Sequence, residues 1–188
     1  EKKCTYRAMK KGARAKEYET AIEWLKDAGL IYQVTRVNSF TKPLNFYEDP
    51  GAFKLYVSDL GLLGAMAQTA SADILTRNTG FVEYKGAFTE QYVAQQMVST
   101  VPNKLHYYSR DDSRMELDFA YQADNVLAIE VKAEENLNAK SLKMILDKHP
   151  EIIGLRVSMS GFRKEHNLIN IPLYLVETWF QKLEQSCV

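Results

Sequence analysis

Residues 116–132 read ELDFAYQADNVLAIEVK, two alternating runs around a turn, with Asp118, Glu130 and Lys132 able to meet on one face. In the first run Leu117, Phe119 and Tyr121 alternate with Glu116, Asp118 and Ala120. In the second, Leu127, Ile129 and Val131 alternate with Val126, Ala128, Glu130 and Lys132. A period of two marks strands, and charged side chains are rarely set into otherwise apolar strands without a partner or a task. The stretch is a candidate site for a divalent metal ion and phosphodiester chemistry.

Its existence depends on register, because a slip of one residue turns every side chain to the other face. A two-residue turn at Asp124-Asn125 sets Asp118 opposite Val131, and no site forms. A three-residue turn, Ala123-Asp124-Asn125, sets Asp118 opposite Glu130 and Glu116 opposite Lys132, with Asn125 able to supply the left-handed residue such loops need. The two beta carbons would then stand roughly 5 Å apart. Like charges that close are unfavourable without a positive charge between them. Magnesium or manganese takes oxygen ligands of this kind, and Lys132 beside the ion could steady a phosphate or orient a water. The plainer alternative is a hairpin with solvated charges on its outer face.

Working outward, the spacing predicts a helix over about 81–97, with Phe81, Tyr84, Phe88, Tyr92, Val93 and Met97 on its apolar side. Glu90 on that helix has Gly86, Ala87, Val93 and Ala94 three and four positions away, so its own helix offers no salt bridge. An ordinary exposed glutamate is the default for it. A short strand over 105–109 follows Pro102. Beyond Lys132 a helix is expected over 138–148, a buried strand over 152–158, a loop over 161–167, a last strand over 169–176 and a closing helix over 177–185. From Phe81 onward the order is helix, three strands, helix, strand, strand, helix. The expected fold is α/β, a mixed sheet with flanking helices.

Toward the N-terminus, Tyr18, Ala21, Ile22, Trp24, Leu25 and Ala28 form a helical stripe stopped by Gly29. Strands over 30–37 and 52–58 flank a tip rich in Pro, Asn, Asp and Gly. Helix, strand, long tip and strand form the tail of a winged helix. The helix presents Lys16, Glu17, Glu19, Glu23, Lys26 and Asp27, more acid than base, which suits packing or domain linking better than contact with phosphates. The expected division is a partial winged-helix segment over 1–60, a helical connector over 61–79 and an α/β domain over 80–188. The helices that should precede the first one are absent, and the chain opens on Glu within a basic run, as a piece of a longer protein would.

Composition bounds the rest. The 188 residues are 46% hydrophobic and 26% charged, ordinary globular usage that excludes disorder as the main state. With 24 basic and 24 acidic residues the formal charge is zero, so no global field draws the chain to nucleic acid, although residues 1–16 carry seven bases against Glu1. Cys4 and Cys187 sit near opposite ends with no Cys-x-x-Cys pair, which argues against a disulfide framework or a zinc site and for a reducing cytoplasm. The most apolar stretch, 60–75, is broken by Gln68, Ser71 and Asp73, so no membrane partner is expected.

Helix-borne Glu90, then Asp118 after Glu-Leu, then Ile-Glu130-Val-Lys132, then a helix and a strand, resembles the PD-(D/E)XK nuclease core. That resemblance implies that Asp118 and Glu130 hold Mg2+ or Mn2+, and that Lys132 and Glu90 act as catalytic residues in hydrolysing DNA. More narrowly, WLKDAGLI (24–31), FKLYVSDLGLL (53–63), GAFTE (86–90), IEVKA (129–133) and IPLY (171–174) resemble a prokaryotic domain of unknown function that follows an AAA-type ATPase module. The likeness runs from about Tyr18 to Val176. It implies an upstream ATPase as partner in cis, with ATP bound there, since no Gly-x-x-x-x-Gly-Lys-Ser/Thr occurs in this chain. Two functions follow from it: a metal-dependent nuclease, and a catalytically inactive module that binds DNA or protein and regulates its ATPase.

Overall fold

The computed structural model describes residues 15–68, 79–110, 115–134 and 139–186. The basic run before residue 15, both cysteines, the connector beyond Gln68 and the charged turn at 111–114 lie outside the described residues. So do the side chains of residues 15–17, 79–83 and 186.

Eight strands form one mixed sheet: β1 (Ile31–Val37), β2 (Glu48–Val57), β3 (His106–Ser109), β4 (Glu116–Gln122), β5 (Val126–Val131), β6 (Ile153–Ser158), β7 (Arg163–Glu165) and β8 (Leu168–Pro172). Their spatial order is β2-β1-β3-β4-β5-β6-β8-β7. The pairs β1–β3, β5–β6 and β6–β8 are parallel and the others antiparallel. Five helices accompany the sheet among the described residues: α1 (Ala15–Asp27), α2 (Leu60–Met66), α3 (Thr79–Thr100), α4 (Lys140–Lys148) and α5 (Val176–Ser186). The protein is α/β, as its alternating patterns predict.

Two cores flank the sheet, as expected when both faces of a sheet are covered. On one face Val93, Ala94 and Met97 of α3 and Phe180 of α5 pack with Tyr107, Phe119, Tyr121, Leu127, Ile129, Leu155, Val157 and Ile171. On the other, Leu142, Ile145 and Leu146 of α4 pack with Leu117, Ala120, Val126, Ala128 and Leu168. These α4 residues have the i, i+3, i+4 spacing of a helix with one buried stripe.

Several expectations change in the assembled sheet. The strands read as a wing are not set apart: β1 lies parallel to β3, with Thr35, Arg36 and Val37 opposite His106, Tyr107 and Tyr108. The hairpin of β1 and β2 lies at one edge of this sheet. Pro50 falls in β2, the outermost strand at that side, where a missing N–H is tolerated. The loop expected over 161–167 contains the short strand β7. The last strand ends at Pro172, and a 3-10 turn over Leu173–Leu175 leads into α5.

Gly29 closes α1 with φ +68°, and the Leu30 N–H reaches back to the Leu25 carbonyl at 2.9 Å. This is the left-handed glycine stop that the sequence signals. The stripe before it is mostly not buried, however: Ile22 is, whereas Trp24 is 73% exposed. α1 meets the rest of the described residues chiefly through β1. No helix among the described residues is long and apolar enough to cross a membrane.

Candidate functional site

The turn between β4 and β5 has three residues. Gln122 pairs with Val126, Ala120 with Ala128 and Phe119 with Ile129, while the Ala123 N–H donates to the Asn125 carbonyl at 3.0 Å. This is the register that aligns Asp118 with Glu130. A second feature intervenes. Against β3, His106 pairs with Ala120 but Tyr108 with Leu117, so three steps along β4 match two along β3. The extra residue is a β-bulge, which re-aims side chains and breaks alternation. Leu117 consequently enters the α4-side core with Ala120, while Phe119 enters the α3-side core. The simple alternation expected for residues 116–121, with Leu117 and Phe119 on one face, is corrected by this bulge.

Glu116 turns toward a residue that pattern reading passed over, Lys54 of β2. Its Nζ lies 2.9 Å from Oε1 of Glu90 and 3.0 Å from Oε1 of Glu116. The Tyr56 hydroxyl donates to the same Oε1 of Glu90. The side chains of Lys54 and Glu90 are only 9% and 7% exposed, so this ion pair works in a low dielectric. Lys54 also sits 5.2 Å from the ring centre of Tyr107, over its face. Burial alone would lower the Lys54 pKa, but Glu90, Asp118 and Glu116 outweigh it and hold the ammonium above its ordinary value.

Asp118 is partly accessible to solvent, and its Oδ2 accepts the Val131 N–H at 2.6 Å. Its carboxyl is pushed well above the usual range, first by desolvation and then by the charge of Glu90. Lys54 opposes that shift, and Glu130 adds to it less strongly than Glu90 does. Glu130 and Lys132 continue the row of Val126 and Ala128, which belongs to the α4 side. They pair with each other, Lys132 Nζ to Glu130 Oε1 at 2.5 Å.

The structure thus gathers Glu90 and Asp118 around Lys54, with Glu116, and leaves Glu130 and Lys132 as a neighbouring pair. Glu90, expected as an exposed helix residue, is 5% exposed and neutralised from another element. Among the described residues no three His, Cys, Asp or Glu side chains converge closely enough to hold a metal ion. The donor set does not fit one as arranged: Glu90 and Glu116 are committed to the Lys54 ammonium, Asp118 to a backbone N–H and Glu130 to Lys132.

The raised Asp118 pKa has a stability consequence of definite sign. The folded state binds its proton more tightly than the unfolded chain does, so this group's contribution falls as pH rises from the ordinary carboxylate range through the folded pKa. Asp118→Asn removes that cost and retains a carbonyl acceptor for Val131. At neutral pH it is expected to raise Tm by roughly 2–4 °C, for a gain on the order of 1 kcal/mol. The gain should shrink on acidification, which thermal melts from pH 4 to pH 8 would reveal. An equal gain at all pH values would contradict it.

The fold and site define a mixed α/β sheet protein with a buried, ion-paired acidic cluster beside a hairpin. Residues 85–174 match the model of a domain of unknown function, DUF4143, and residues 1–73 match that of a second one, DUF8612. No curated protein and no solved structure matches the chain.

Proposed function

We propose that this chain is a non-catalytic binding module on a nuclease-like α/β core, regulating an AAA-type ATPase module of the same polypeptide by protein contact in the cytoplasm. The observation that carries this reading is the Lys54 ammonium between Glu90 and Glu116. A metal-dependent nuclease needs ionised carboxylates free to ligate. Here Glu90 and Glu116 are neutralised from within by the Lys54 ammonium, at 2.9 and 3.0 Å. The balanced charge, 24 bases and 24 acids, supports a protein partner over a polyanion. ATP binding belongs, in this reading, to the attached ATPase.

The second reading, metal-dependent hydrolysis of DNA with Asp118 and Glu130 holding Mg2+ or Mn2+ and with Lys132 and Glu90 as catalytic residues, draws support from the β4–β5 register. Plasmid and oligonucleotide turnover in magnesium or manganese separates the two. The expected result is no cleavage above that of Asp118→Ala and Lys132→Ala. Metal-dependent cleavage by the unaltered chain that both substitutions abolish would establish the nuclease instead.

A further inference from the structure

We propose that the cleft enclosed by the loop after β1, the β4–β5 turn and the loop before β6 binds a small zwitterion with an apolar body, of the class of free aliphatic amino acids. Its apolar lining belongs to the core on the α4 side, whereas Lys54 lies over Tyr107 on the α3 side. The proposal therefore does not rest on the non-catalytic reading.

The cleft has a volume of about 290 Å³. Each of its three segments brings one apolar and one polar side chain: Phe40 with Lys42, Val126 with Asn125, and Ile152 with Glu151. Phe40, Val126 and Ile152 are buried and form the floor, while the three polar residues are exposed at the mouth. The walls are held in place. The Ser39 hydroxyl accepts the Thr41 N–H at 3.2 Å, and the Leu44 N–H donates to Oε1 of Gln122 at 2.8 Å. Phe40 lies against Tyr108 with ring centres 4.5 Å apart, and Nδ2 of Asn167 donates to the Ile152 carbonyl at 3.2 Å. A ligand meets preformed walls and has little ordering cost to offset.

Charge and size select the ligand class. Lys42 and Glu151 are opposite in sign and come from different segments. Glu151 is turned toward His149, Oε1 to Nδ1 at 3.2 Å, and among the described residues no salt bridge joins it to Lys42. A lone anion here would face Glu151, and a lone cation would face Lys42. A zwitterion answers both, and its apolar body covers the floor. The volume equals that of about ten waters, which suits an aliphatic amino acid rather than a nucleotide or a folded partner.

Titration of the full chain with L-leucine, followed by amide NMR, tests this. Saturable shifts are expected in the millimolar range at residues 40–42, 125–126 and 151–152. Isocaproate, which lacks the ammonium, and L-leucinamide, which lacks the carboxylate, should each bind roughly threefold to fivefold more weakly, as partly solvated charges at a mouth allow. Lys42→Gln should weaken leucine by a similar factor without weakening leucinamide. Glu151→Gln should weaken leucine without weakening isocaproate. Both positions are exposed, so both variants should fold, which thermal melts would verify. Absence of saturable shifts with leucine overturns the proposal, as do shifts centred elsewhere or equal binding of the three probes. So does leucine binding that is indifferent to both substitutions. None of these outcomes bears on the nuclease test.

Discussion

Lys54→Met is expected to cost about 3–5 kcal/mol, because it strands the Glu90 carboxylate that the fold has already removed from water. Glu90 is 5% exposed, and the Lys54 ammonium stands 2.9 Å from its carboxylate. The hydroxyl of Tyr56 remains as a donor, but a hydrogen bond to a charged group is worth about 1.5–3 kcal/mol and supplies no counter-charge. Urea unfolding followed by circular dichroism should show a lower midpoint at unchanged slope. The decisive comparison is the double variant Lys54→Met/Glu90→Gln. Removing the orphaned charge should recover about 2–3 kcal/mol through the coupling of the pair. Additive losses would mean that the two groups do not interact.

Phe180→Ala should match it from the apolar side. Phe180 is fully buried on α5, edge-on to Tyr121 with ring centres 6.1 Å apart and to Trp179 at 5.0 Å. It joins α5 to the core that α3 and the central strands share. Deleting a buried ring forfeits transfer energy and leaves a cavity, in total about 3–5 kcal/mol. For a chain of this size that is a fall in Tm of roughly 10 °C. Phe180→Leu keeps most of the volume and should lose less than half as much. Equal losses for the two would show that the site cannot accommodate any change of shape and that volume is not the determinant.

Local pattern carried a large part of this structure. The stop at Gly29, the helix with Leu142, Ile145 and Leu146 inward, and the hairpin around residues 123–125 all follow from neighbours within a few positions. Register was legible down to two alternatives, because turn length and face periodicity are both local quantities. The bulge in β4 was not, since it is imposed by pairing with β3 rather than by residues 116–122 themselves. Nor was the parallel pairing of β1 with β3, which joins segments some seventy positions apart. The candidate site was half legible for the same reason. Glu90 and Asp118 stand out in their own elements, but the partner that decides their chemistry, Lys54, is 36 positions from Glu90. A signal for it did exist. Lys54 and Tyr56 alternate with Phe53 and Leu55 in an apolar strand, and the rule that drew attention to Asp118, that a charge in such a strand has a partner, applies to Lys54 as well.

Lys54 lies in the segment matched by one family model, and Glu90, Glu116 and Asp118 lie in the segment matched by the other. The ion pairs cross the seam between two stretches of sequence that are catalogued as separate units. A lineage that exchanged one stretch for a foreign copy without the matching residues would bring a buried charge to a partner that is no longer there.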